Sequence, residues 1–136
     1  MSEQQHWAFF LIGKPYAYGG EGPDEFNCWG LVRWVFRNVF SIEMPLIRVG
    51  LVGEAQEEEI RSVTRLSGWR PTPDARPCDR AIVLMWRPSG RQSGLALVVN
   101  GGLFVLHAIE DVGVVLTPYA ELWLFSFSRL THWRKA

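Results

Sequence analysis

The hydrophobic period changes once along this chain, near Trp69, and that change limits the folds open to it. Before it, apolar residues recur at helical spacing; after it, they come in short runs separated by turn signals. Helical pattern first and strand pattern second describe an α+β protein, with an antiparallel sheet packed on a central helix. At 136 residues, the chain suits a single domain over 1–136 with its own core.

The first half divides cleanly. Residues 3 to 12 predict a short helix, with Trp7, Phe10 and Leu11 on one face. Gly13 stops it and Pro15 prevents its return. Segment 13 to 25 holds Gly13, Pro15, Gly19, Gly20, Gly22 and Pro23, so it is a loop with special backbone angles. Asp24 or Asn27 can cap the next helix. That helix is predicted over about 28 to 40, with Leu31, Val32, Val35, Phe36 and Val39 on one stripe and Arg33 and Arg37 on another. A third helix is predicted over 53 to 66. Its Glu57-Glu58-Glu59 run near the start and Arg61 and Arg65 near the end suit the helix dipole.

Pro71, Pro73 and Pro77 mark an irregular link. Five strand-like runs follow: Ala81 to Trp86, Leu95 to Asn100, Leu103 to Ile109, Val112 to Leu116 and Leu122 to Phe127. Asn100-Gly101-Gly102 is a hairpin signal, because type I′ turns need positive φ at both central residues. Glu110-Asp111 before Val112-Gly113 marks a second turn.

Composition removes several function classes. The formal net charge is zero, whereas nucleic-acid binders usually carry a basic patch. The two cysteines, Cys28 and Cys78, form no CxxC pair, so neither a disulfide scaffold nor a zinc-finger spacing is present. No metal or cofactor is expected. The first residues lack a signal-peptide pattern, and no apolar run approaches the roughly 20 residues of a membrane span; synthesis and folding in a cytoplasm are expected. Seven tryptophans are many for this length. Trp7, Trp34 and Trp86 are assigned to the core. Trp29, Trp69, Trp123 and Trp133 are candidates for a contact surface.

Cys28 stands where the glycine-rich loop ends and the second helix begins. A thiol at a helix N-terminus faces unpaired N–H groups and the positive end of the dipole, which favour the thiolate. The same position also suits an inert buried cysteine.

Gly-Lys-Pro-Tyr-Ala-Tyr-Gly-Gly at 13 to 20, followed by Phe-Asn-Cys-Trp-Gly-Leu-Val at 26 to 32, resembles the signature of the NlpC-type cysteine peptidases. These are papain-like endopeptidases that cut bacterial cell-wall peptides. Pro77-Cys78-Asp79-Arg80-Ala81-Ile82-Val83-Leu84 resembles the family's strand entry, and Leu95 to Ala108 its paired strands. The resemblance implies a papain-like fold, with N-terminal helices on an antiparallel sheet of about five strands. It implies Cys28 as the nucleophile, His107 as the third, orienting residue, and Tyr16 and Trp29 beside the substrate cleft. The base position falls on Gly94, or on Leu95 if the hairpin carries no extra residue, and neither can move a proton. Two further positions depart from the family pattern: Asn27 replaces an acid and Trp29 replaces a small residue. His6 and His132 read as structural, and Cys78 as a plain link residue.

Cys-Trp-Gly-Leu-Val-Arg, Ala-Ile-Val-Leu-Met and His-Ala-Ile-Glu-Asp-Val-Gly-Val-Val together most resemble small tail-tip proteins of tailed phages. That resemblance implies a structural, degenerate peptidase fold in the virion, bound by tail hub and distal tail proteins. The alternative is an active wall endopeptidase, with Cys28 as nucleophile and His107 recruited as base.

Overall fold

The computed structural model describes residues 6–44, 58, 62, 68–71, 80–88 and 90–135. Residues 3–5 of the predicted first helix lie outside the described residues; within 6–12 the chain forms a 3-10 turn, Trp7–Phe10. The His6 imidazole accepts from the Ala8 N–H at 3.1 Å and caps the turn. Gly13 ends the segment at φ +92°.

Helix α1 spans Cys28–Asn38. Of the two predicted caps, Asn27 is the one used: its Oδ1 accepts from the Gly30 N–H at 2.6 Å. The predicted apolar stripe is buried at Leu31, Val32, Val35 and Phe36. On the other stripe Arg33 pairs with Glu21 and donates to Met44 O at 2.9 Å, while Arg37 meets Glu43 at 3.1 Å. Arg33 therefore ties the glycine-rich loop and the chain after the helix to one side chain. The third helix predicted over 53 to 66 lies outside the described residues, apart from Glu58 and Ser62, which are helical. Cys78 also lies outside them.

Among the described residues, six strands form one antiparallel sheet: β1 (Trp69–Pro71), β2 (Ile82–Arg87), β3 (Gly90–Val99), β4 (Gly102–Ile109), β5 (Gly113–Pro118) and β6 (Arg129–Lys135), in the order β1-β6-β2-β3-β4-β5. Asn100 and Gly101, at φ 50° and 81°, make the two-residue turn between β3 and β4. β3 starts five residues earlier than predicted and so takes in Gln92, Ser93 and Gly94.

The predicted strand Leu122 to Phe127 is instead a 3-10 helix, Tyr119–Phe125, closed by Ser126 at φ 69°. It lies over the sheet rather than within it, burying Leu122 and, just beyond it, Phe127. The place next to β2 belongs to β6.

Each face of the sheet has its own core. Helix α1 packs across β3 and β4. Ile82, Leu84, Leu95, Leu97, Val99, Leu106, Ala108, Val114 and Trp133 join its residues in the larger cluster. Ala81, Val83, Met85, Ala96 and Val105 face the other way, beneath Leu122 and Phe127. Trp29, Trp69 and Trp133 are at most 2% exposed, so they fill the larger core rather than forming a contact surface. Only Trp123 of that predicted set is exposed, at 68%. Trp7, Trp34 and Trp86 are half-buried.

Candidate functional site

Hydrogen bonds hold the segment before α1 close to the helix. Phe26 N–H donates to Pro15 O (3.1 Å), Ala17 N–H to Phe26 O (3.0 Å) and Asn27 N–H to Gly20 O (2.9 Å). Gly30 permits the closest approach: a Cβ there would sit 2.0 Å from Gly20 O. The same segment is fastened to the sheet by Gly13 N–H to Val114 O and Val114 N–H to Lys14 O, both 2.9 Å. The Cys28 end of α1 is thereby set over the part of the sheet where β5 begins.

Cys28 is buried, at 5% exposure. Tyr16 adjoins it. Burial, then Cys28, Glu110 and Tyr18 in that order, push the Tyr16 hydroxyl above its ordinary range. Beside Tyr16 opens a cleft of about 480 Å³, lined by Pro15, Tyr16, Tyr18, Glu110, Asp111, Val112 and Gly113. Trp29 does not reach such a cleft: it belongs to the larger core. The second position of α1 points its ring at the sheet, which corrects the expectation that Trp29 stands at the cleft mouth.

Strand register decides what shares the Cys28 side of the sheet. Leu84 pairs with Ser93 and Val83 with Gly94. Leu84 lies on the α1 face and Val83 on the other. Because side chains alternate, Ser93 faces α1 and Gly94 faces away. A Cβ on Gly94 would meet Val105 Cγ1 at 2.7 Å and Met85 Cε at 3.2 Å, both on the far face. Gly94, one of the two expected base positions, therefore looks away from α1; Leu95, the position expected if the hairpin carries no extra residue, lies with Ser93 on the α1 face, and the turn between β3 and β4 is the two-residue Asn100-Gly101. The β3–β4 register pairs Leu95 with Leu106, and carried two residues further it sets Ser93 opposite Ala108. Ala108 pairs with Val114, the residue whose backbone holds Gly13 and Lys14 of the loop before α1. Ser93 is fully buried, and its hydroxyl finds no hydrogen-bond partner among the described residues.

His107 is on the far face. Its ring packs edge-on against Phe125 and Phe127, at 5.7 and 5.9 Å between centroids. Nε2 lies 2.9 Å from the Thr117 hydroxyl and Nδ1 3.5 Å from Gln92 Oε1. Burial, and secondarily Arg87, push its pKa down to about 4, so the ring is neutral at pH 7. His132 lies on the same far face, stacked on Tyr119 with the Tyr119 hydroxyl 2.8 Å from Nε2. His6 lies tilted against Trp7, whose ring contacts Phe40 beyond the other end of α1. None of the chain's three histidines shares the Cys28 end of the helix. The sequence contained one usable signal for Ser93: counting back by twos from Val99, Leu97 and Leu95 along a single strand face reaches it.

Among the described residues, no three His, Cys, Asp or Glu side chains are grouped to hold a metal ion, and no helix is long and apolar enough to cross a membrane.

A cysteine-headed helix packed on an antiparallel sheet is the architecture of papain-like enzymes of the NlpC/P60 type, and comparison with known proteins agrees. The NlpC/P60 family profile matches residues 13–68. The NlpC/p60 domain of the peptidoglycan hydrolase SagA superposes with a TM-score of 0.58 at 23% identity, covering 92% of this chain and 91% of that one. NlpC2 from Trichomonas vaginalis gives a TM-score of 0.56 at 18% identity, covering 94% of this chain but 44% of that one. No curated protein matches the sequence. The fold is that of an NlpC/P60 domain, an α+β papain-like arrangement.

Proposed function

We propose that this chain is a structural component of a phage tail tip that keeps the NlpC/P60 peptidase fold without its catalysis. The observation that carries this reading is the pairing beneath α1: Ser93 and Leu95, not an imidazole, share the α1 face. A Cys-His peptidase needs a nearby imidazole to take the thiol proton and return it to the leaving amine. A serine hydroxyl holds no proton-accepting site of comparable basicity, and His107 is turned to the far face. Losing the base of such a unit costs orders of magnitude in rate. Cys28 is then a buried thiol and Trp29 a core residue, and a domain without an active site persists because its partners need its shape.

The tail-tip assignment rests on the resemblance of Cys28-Trp29-Gly30-Leu31-Val32-Arg33 and the His107 to Val115 hairpin to tail-tip proteins. Its partners are tail hub and distal tail proteins, in copies matching the tail's rotational symmetry. The chain is made in the host cytoplasm and carried in the virion.

One observation favours a second reading. A cleft opens beside Tyr16, whose hydroxyl feels Cys28 electrostatically, which suits a domain that engages wall peptide, as the peptidoglycan hydrolase with the similar fold would. In its strongest form this is an active endopeptidase cutting stem peptides during entry, with Cys28 as nucleophile.

Incubating the purified protein with cell-wall peptides separates the two. The expected result is no turnover; cleavage that disappears in Cys28→Ala overturns the structural reading. Mass spectrometry of purified phage particles tests the placement, which fails if the chain is missing from tails.

A further inference from the structure

We infer that residues 119–128 form an acid-releasable cover on the sheet, latched at its two ends by the buried histidines His132 and His107. Neither ring has a part in the site around Cys28.

The two latches grip one segment. Tyr119, at its start, stacks on His132 with an interplanar angle of 17° and brings its hydroxyl 2.8 Å from Nε2. Phe125 and Phe127, near its end, close edge-on over His107. Between them Leu122 is buried in the far-face core, while Trp123 and Leu124 point outward, 68% and 57% exposed. The segment is not a strand, so no ladder binds it to the sheet. Besides the Tyr119–His132 contact, its polar ties include Arg87 Nη1 to Phe125 O at 3.2 Å and Ser128 N–H to Trp86 O at 3.0 Å.

The groups facing His107 are Arg87 from β2, Gln92 from β3, Thr117 from β5, and Phe125 and Phe127 from the cover. None of these described residues is a carboxylate. A proton added to the ring would place a cation in an apolar setting near the Arg87 guanidinium, which itself lies 5.0 Å over the Phe127 ring. His132 faces Tyr119 from the cover and sits opposite Val83 of β2.

Both rings resist protonation while covered. Burial lowers the pKa of His132, and burial with Arg87 lowers that of His107 to about 4. Uncovered, a histidine returns to about 6.5. The open form therefore binds more protons between these values, and acid favours it by linkage.

Hydrogen exchange of the full chain between pH 7 and pH 4, corrected for the pH dependence of chemical exchange, tests this. Amides of 119–128 should lose at least about tenfold more protection than those of the β3–β4 hairpin. In His107→Gln/His132→Gln that difference should vanish. The proposal is overturned if cover and hairpin lose protection together, or if the double variant behaves like the parent. Should the double variant not fold, ring titrations of the parent by NMR must share their midpoints with the loss of protection; separate midpoints overturn it equally.

Discussion

Cys28 and His107 stand on opposite sides of one sheet. Cys28 heads the helix packed on the face that Ser93, Leu95 and Ala108 share, whereas His107, one residue before Ala108, is buried under Phe125 and Phe127. Recruiting His107 as a base would need β4 to slip by one residue, which would turn every side chain of that strand over.

If Ser93 is the position that looks toward Cys28, then Ser93→His should introduce an imidazole there and speed alkylation of Cys28 by iodoacetamide at pH 7, by at least about tenfold. The larger side chain should lower stability by roughly 1–3 kcal/mol. Gly94→His should leave the alkylation rate unchanged, because a side chain there runs into Val105 and Met85. Equal rates for Ser93→His and the parent would remove Ser93 from the Cys28 side.

The α1 entry is set by its cap and by one close contact. Asn27→Ala should cost about 1 kcal/mol in urea unfolding, and Asn27→Asp much less. Gly30→Ala should cost more than the cap, because the backbone oxygen of Gly20 lies in the path of the new methyl group and cannot rotate away.

Trp29→Ser would recreate the small residue of the family pattern. With Trp29 in the main core, the expected result is a loss of about 3–5 kcal/mol, as for other emptied aromatic sites. A neutral substitution would mean that the ring contributes little to packing.

Acid should weaken the fold through His107. Its pKa is depressed to about 4 when folded, against about 6.5 when unfolded. The stabilisation is therefore fully present above about pH 6.5 and lost as pH falls toward 4, up to roughly 3 kcal/mol. Urea unfolding of the parent and of His107→Gln at pH 7, 5.5 and 4.5 measures it, and the variant should show the shallower dependence.

Much of this architecture was legible along the chain. The Asn27 cap, the stripe of α1 and the Asn100-Gly101 turn depend on neighbouring residues, whose spacing is written directly in the sequence. The α+β order and the Cys28 junction followed from the same local signals. Three things needed the folded chain. Leu122 to Phe127 alternates like a strand, but the sheet place beside β2 is filled by β6, so that segment became a cover. Trp29 looked like a rim residue until the angle at which α1 meets the sheet turned it inward. Ser93 and Leu95, rather than Gly94, lie on the α1 face, because pairing with β2 and β4 sets the parity of β3. Periodicity shows that a strand has two faces; only the partner strands and the helix packed on them decide which face meets Cys28.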